Sequence, residues 1–525
     1  MESHCLRQDR LPGTSRLILD YAYRFHQIPA FYRHAPYAPD SLERATAEIR
    51  YPAERRAALA NALEMQNPGS PLLEVLRRAD SVVVATGQQV GYLGGPAYTV
   101  FKALTAIRVA ESLAAKGISA VPVFWLASED HDLEEVDHAW LFDGHRQPSR
   151  YQAETHGVSA APVGWRTAPP VRRGDLEAVF AHLPFGHEVV ALAAEAYREG
   201  QTYTQAFREL VERILGRHRV LFLDPLQPEI RALAAPLLAQ AVEQFPALFS
   251  AVEQRSRALE AAGYHRQVHL DADSSFFFLL EEGQRLSLKA RQGAFVNAKR
   301  SWSEAELAAR AAEISPNALL RPVLQDYLLP TVCLVGGPAE IAYLAQSAPI
   351  YEQLLGRQPV FLPRNGFTLL DESAARHMDR YGLTLPDFFS PEATFQERLA
   401  RTQIPAELLE KMEYTVGRAS ALFDEMRREL LSFDPTLAAA SERSQSRVVY
   451  QFQKLERKIA REIARREDRI RADAEYLRGL VYPQKHLQER LYSFLPFLAV
   501  HGTGLVDVIH GSIHEDCPDH HVLVV

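Results

Sequence analysis

The spacing of apolar residues along this chain changes several times, and each change marks an element. Residues 82–85 form a continuous apolar run that stops at Thr86-Gly87-Gln88-Gln89. A glycine-rich loop follows over 91–95, and residues 99–116 then carry apolar side chains at helical spacing. A second apolar run, 121–127, ends in Ser128-Glu129-Asp130-His131-Asp132. Strand, loop, helix, strand is one βαβ unit, in which the strands lie parallel and the crossover is right-handed. Three later runs, 219–223, 331–335 and 359–362, are of the same buried kind and end in Asp224-Pro225, Gly336-Gly337-Pro338 and Pro363-Arg364-Asn365. Turn chemistry alone favours Gly, Asn and Asp at such places. The repetition of the pattern predicts an α/β fold: a doubly wound parallel sheet with a cleft where the strands' carboxyl ends meet.

Two stretches interrupt this core. The proline-rich residues 147–170 read as a small insertion, and 263–315 as a β-rich one with a turn at Glu282-Gly283. This leaves N-terminal helices and the first half of the core over 1–146, a largely helical continuation over 171–262, and the second half over 316–402. Residues 403–432 follow a helical pattern broken at Asp434-Pro435. From 437 to 480 there is no proline, and Val448, Phe452, Leu455, Ile459, Ile463 and Ile470 recur mostly three or four apart between charged residues. That predicts one long amphipathic helix of roughly 60 Å, paired with its predecessor as an antiparallel coiled-coil arm over 403–482. Its outer side would pack on the same chain or on a second subunit. Residues 483–525 read as short helices and a tail, with His514, Cys517, His520 and His521 read as solvated rather than as metal ligands.

At 525 residues the chain exceeds what one core holds. A net charge of −8 argues against a mainly nucleic-acid-binding role. Cys5, Cys333 and Cys517 are far apart and make no CxxC. A disulfide framework or cysteine-rich zinc site is therefore not expected, and a reducing cytoplasm is. No run approaches the ~20 apolar residues that span a bilayer, so no membrane role is expected.

The candidate chemistry gathers at the strand ends. The loop from Gly87 to Pro96 is neither a P-loop nor GxGxxG. Its glycines and the helix start behind it would still suit an anion. Gln88, Gln89, Gly94, Gly95, Tyr98 and Thr99 are candidate substrate contacts, and Lys102 a candidate catalytic cation. Glu129, Asp130, His131 and Asp132 follow a buried strand. A helix macrodipole explains Glu134 and Glu135, but not His131, which could act as a general base beside Glu129 and Asp132. Arg321 and Arg364 are candidate binders of a carboxylate, and Gln325, Asp326 and Asn365 are candidate substrate contacts beside them. Gly336, Gly337 and Pro338 are candidate nucleotide contacts. No firmly bound metal is expected.

TGQQVGYLGGPAYTVFKALTAI, PVFWLASEDHDLEEVDH, SPNALLRPVLQDYLLPTVCLVGGPAEIAYLAQ and FLPRNGFTLL, in that order, resemble the cysteine-adding enzymes of bacillithiol biosynthesis, the BshC family. The resemblance spans essentially the whole chain. It implies a Rossmann-like core with two connecting insertions, similar to class I aminoacyl-tRNA synthetases, and a coiled-coil arm that makes a homodimer. It also implies a ligase that joins L-cysteine to glucosaminyl-malate, with ATP as co-substrate activating the cysteine carboxylate. His131, with Glu129 and Asp132, would orient the amine or take its proton; Lys102 and the loop would hold an anionic group. The HIGH and KMSKS signatures of the synthetases are missing. A non-catalytic nucleotide-binding adaptor and another transferase on the same fold are the alternatives.

Overall fold

The computed structural model describes residues 3–154 and 160–525; residues 155–159 of the first expected insertion lie outside them. The chain forms two compact units. One comprises Met1–Gly144, Pro148–Thr368 and Glu489–Leu523, the other His145–Gln147, Leu369–Gln488 and Val524–Val525.

In the first unit, five strands make a parallel sheet in the order Val360–Pro363, Thr331–Gly336, Val82–Gln88, Ala120–Leu126, Leu221–Leu223. Counted along the chain this is 5-4-1-2-3, the Rossmann-like order. The winding direction reverses between the first and fourth strands, Val82–Gln88 and Thr331–Gly336. Alternate residues serve opposite faces: Val83, Ala85, Val121 and Val123 belong to one apolar core, Val82, Val84, Val332, Val335 and Val360 to the other. Both faces are covered, which is why these strands read as unbroken apolar runs. The Tyr98–Ala115 helix crosses from the first strand to the second.

The β-rich insertion is a separate five-stranded antiparallel sheet built around the Ser274–Glu281 and Gln284–Arg291 hairpin. Its turn residues Glu282 (φ 51°) and Gly283 (φ 74°) are both left-handed, as a two-residue hairpin turn requires. The first insertion contributes Pro148–Gln152, paired antiparallel with His138–Phe142.

The chain's ends depart from expectation. Ser3–Leu6 pairs antiparallel with His520–Val524. His520 and His521 are therefore not solvated, at 1% and 2% exposed, while His514 is exposed as expected and Cys517 is half-buried. Each strand is too short to announce itself, and its partner lies at the other end of the sequence.

In the second unit, Ala406–Phe433 and Pro435–Arg466 form a helical hairpin. Asp434 caps the second helix by accepting from the Thr436 N–H at 2.8 Å, and Gln445 bonds back to Ser420 across the pair. The single helix expected over 437–480 breaks at Glu467 (φ −104°, ψ 99°), and Asp468–Val481 follows as a separate helix. The physical difference is packing. The helix before the break exposes Tyr450 and Leu455, whereas the one after it buries Ile470, Ala474, Leu477 and Leu480 and ties Asp473 to Tyr381 at 2.6 Å. Among the described residues no single helix is long and apolar enough to cross a membrane.

Candidate active site

A cleft of about 1220 Å³ opens at the reversal point of the sheet. Gly87, the last residue but one of the first strand, lies beside Trp125. A Cβ there would stand 2.7 Å from the Trp125 carbonyl oxygen, so only glycine keeps the strands in register. The next residue, Gln88, accepts from Lys102 Nζ at 2.9 Å and donates to the Tyr98 hydroxyl at 3.2 Å. Lys102 is buried, donates also to the Gly87 carbonyl at 3.0 Å, and forms an ion pair with Glu340. Glu340 stands in the first turn of the Pro338–Leu354 helix and accepts from the Gly337 N–H at 2.8 Å. Burial pushes the Lys102 ammonium below its ordinary value, and Glu340 only partly restores it. Burial pushes the Glu340 carboxyl up, but Lys102, the Gly337 amide and Arg321 outweigh it and hold the group below the usual range.

Arg321 begins the Arg321–Leu328 helix and donates to Gln325 at 3.1 Å and to the Tyr343 hydroxyl at 3.0 Å. Arg364 lies 5.1 Å from the Tyr98 ring centroid and grips Glu489 with two bonds of 2.9 and 2.6 Å. Its charge is thus already paired within the fold. Arg490, exposed at the rim, makes no hydrogen bond or ion pair among the described residues.

Carboxylates line the side that follows the Ala120–Leu126 strand. Glu129 is clamped by Arg231 at 2.7 Å. Asp130 accepts from Gln89 at 3.0 Å and from the His131 N–H at 2.7 Å. Burial raises its carboxyl, but the Gln89 bond, Arg285 and the backbone donors win and leave it below the usual range. Arg285 comes from the β-rich insertion. It stacks 3.8 Å from the Phe278 centroid and donates to Ser315, the Pro316 carbonyl and, at 3.2 Å, His131 Nδ1. An arginine can only donate, so Nδ1 accepts and a neutral ring carries its proton on Nε2. Asp132 is exposed and caps the Glu134 N–H at 3.1 Å.

Gln88, Gln89, Tyr98, Lys102, Glu129–Asp132, Arg321, Gly337, Pro338 and Arg364 therefore share one cavity. The remaining candidates do not line it, and each has a physical reason. Gly94 and Gly95 are buried in the loop's own turn, with their N–H groups bonded to Gly91 and Tyr92 carbonyls. Thr99 is buried behind them, beside Gly95. Gln325 is buried and serves to hold Arg321. Asp326 points away from Arg321 on the same helix and pairs with Arg357 at 2.5 Å; burial, opposed by Arg357, pushes its carboxyl up to about 6. Asn365 grips the His514 backbone at 3.1 and 2.8 Å. Gly336 is a buried strand residue. Asp224 ends the edge strand and is held by Ser128, Leu226 and Gln227.

Sequence reasoning missed Glu340, Tyr343, Arg285, Phe278 and Arg490. Glu340 had a local signal, a glutamate three residues after a glycine N-cap. The others reach the cleft only through tertiary packing.

Residues 1–365 match the family model described as the bacillithiol biosynthesis BshC N-terminal Rossmann-like domain, and 367–525 that of the BshC C-terminal coiled-coil domain. Three curated relatives carry the name "Putative cysteine ligase BshC". That of Solibacter usitatus is 47% identical over 527 residues, covering 100% of both chains. That of Koribacter versatilis is 36% identical over 99% of each. That of Salinibacter ruber is 30% identical over 97% of this chain and 96% of its own.

Proposed function

The chain belongs to the BshC family of bacillithiol biosynthesis, and on that premise we propose that it is an amide-forming ligase that adds L-cysteine to glucosaminyl-malate at the expense of ATP. The observation that carries this reading is the polarity of the cleft. Lys102, Arg321, Arg364 and Arg490 line the cleft together with Glu340, and Glu129, Asp130, Asp132, Glu134, Glu135 and Asp137 line it together with Arg166 and Arg285, so each group carries an excess of one charge. The two substrates have matching parts: carboxylates, and phosphates on the nucleotide, for the basic group, and a sugar amine for the acidic group.

A free carboxylate does not acylate an amine, because its oxygen is a poor leaving group. ATP supplies a phosphate or AMP as the leaving group. Lys102 and the helix start hold that anionic part. All three Lys102 N–H donors are engaged, by the Gly87 carbonyl, Gln88 and Glu340, so holding the anion means exchanging one of these partners for it. Arg321 and the exposed Arg490 bind carboxylates. The sugar ammonium binds against Asp130, which is kept ionised. The ammonium loses one proton to solvent to become the attacking amine, and Asp130 takes the second proton as the C–N bond forms and the phosphate or AMP leaves. His131 orients the acceptor as an Nε2–H donor, a different task from the base expected for it. Gly337 and Pro338 contact the nucleotide.

The protein acts in the cytoplasm as a homodimer joined through the helical arm, whose Tyr414, Leu422, Met426, Leu431 and Phe433 are exposed. Light scattering of the intact protein measures the dimer, and charge substitutions at Leu422 and Met426 should yield monomers. The direct test of function incubates purified protein with ATP, cysteine and glucosaminyl-malate. Mass spectrometry should find bacillithiol, with AMP or ADP formed in equal amount. Absence of that thiol at every nucleotide concentration would refute the ligase reading.

A further inference from the structure

Away from the cleft, the two ends of the chain bring three metal-binding side chains together. The pairing of Ser3–Leu6 with His520–Val524 sets Cys5 directly opposite His521. Residues opposed in this way carry Cβ atoms about 5 Å apart, close enough to share a ligand. Cys5 Sγ stands 3.5 Å from His521 Nδ1. The turn before the second strand adds Cys517, and the three candidate ligand atoms lie within 4.8 Å of one another. Zn–S and Zn–N bonds of about 2.3 and 2.0 Å at a tetrahedral angle put sulfur and nitrogen about 3.5 Å apart. The Cys5–His521 spacing matches that edge.

The surroundings suit a cation. His521 is buried and fixed by the strand pairing, Cys517 is half-buried and Cys5 is exposed, so an ion can enter from solvent and meet a rigid first ligand. Burial, with the His514 ring beside it, pushes His521 down to about 4, which keeps the imidazole neutral and able to ligate at neutral pH. Burial and the neighbouring Cys517 push the Cys5 thiol up to about 11, a cost that a divalent cation between the two sulfurs removes. Two sulfurs and an imidazole favour zinc over magnesium or calcium.

We propose that Cys5, Cys517 and His521 form a zinc site, with water in the fourth position, that fastens the first strand of the chain to the last. Binding replaces the protons of both thiols, which pass to solvent, and involves no change of oxidation state. The ion is structural: it lies apart from the ligase cleft and holds an edge that the hydrogen bonds of two short strands hold weakly.

The test uses the full chain, equilibrated with zinc and passed through a desalting column. Elemental analysis should find close to one zinc per chain. Cobalt in its place should give the near-ultraviolet thiolate charge-transfer band. Native alkylation should spare Cys5 and Cys517 until a strong chelator is added. Chelation should lower the wild-type Tm and leave that of Cys517→Ser unchanged. Cys517→Ser and His521→Gln should each lose most of the bound metal. The proposal is overturned if the wild type retains no zinc and shows no cobalt–thiolate band, if Cys517→Ser keeps its zinc, or if peptide mapping of freshly purified protein finds a Cys5–Cys517 disulfide instead. The cobalt spectrum and alkylation pattern are read on the wild type, so they decide the matter even where a variant folds badly.

Discussion

After the Val82–Gln88 strand the chain passes Gly91, Gly94 and Gly95; after Thr331–Gly336 it passes Gly337 and Pro338. On paper the first turn is the richer in glycine and the better candidate for cradling an anion. In the fold, Leu93, Gly94 and Gly95 all take positive φ (51°, 84° and 64°), and the amides of Gly94 and Gly95 close the loop on itself. The turn is buried, and a Cβ on Gly94 would meet Leu210 at 3.5 Å. Gly337 has an ordinary extended backbone, φ −81° and ψ 170°, yet it opens a long helix on the cleft wall, where Glu340 caps it. Glycine content reports where a backbone must bend. Both bends follow the two strands between which the sheet reverses, so what separates them is where their backbone goes next: the first closes on its own carbonyls, the second opens into a helix on the cleft wall.

The strongest way to break this comparison is to dismantle the ion pair behind the second turn. Glu340→Gln should leave the buried Lys102 ammonium unpaired, lowering stability by about 3–5 kcal/mol. Lys102→Met should cost less, since Glu340 is half-buried and keeps the Gly337 amide. Each should also cut thiol formation a hundredfold or more, about the size of losing a preorganised electrostatic contact. The double variant should regain much of the Tm but none of the activity. Melting curves and product rates separate the two effects, and wild-type turnover in the double variant would remove Lys102 from the mechanism.

A sharper version uses the Arg321–Leu328 helix, which has one end in the cleft and the other buried. The Asp326 carboxyl rises from its ordinary 3.8 to about 6 in the fold, so the folded chain holds that proton more tightly than the unfolded chain does. Its contribution to stability is fully present below about pH 3.8 and is lost as the pH climbs through 6, a change of about 3 kcal/mol. Asp326→Asn should flatten urea midpoints between those limits and spare KM; an unchanged slope would contradict the assignment.

Gly94→Ala places a side chain in the left-handed region at a cost of about 1–2 kcal/mol. It should lower the Tm and leave KM for every substrate alone. A raised KM for ATP would show that the first turn meets the nucleotide after all. The smallest effect concerns His131→Ala. If the ring only donates a hydrogen bond, kcat falls about tenfold; if it is the base, the loss is a hundredfold or more and the acid limb of the pH–rate profile disappears.

Much of the architecture was written locally. Strands covered on both faces must be apolar throughout, so the five core strands and the Tyr98–Ala115 helix stand out without any knowledge of their neighbours. That the acid–histidine cluster lines the cleft was legible because it follows a strand end in such a sheet, and that Lys102 does because its helix starts behind the neighbouring strand end. Contacts between distant segments left no local trace. Arg285 enters the cleft from an inserted hairpin, Arg364 is engaged by Glu489, and the break at Glu467 lies in a run without proline. The cysteines are the plainest case, since Cys5 and Cys517 meet only because the first and last strands pair. Sequence alone determined which segments must be buried and where the backbone turns, because those follow from side-chain polarity and backbone sterics nearby. Tertiary structure alone decided which charges meet, because electrostatic partners are chosen by distance in space and the chain's order does not encode that distance.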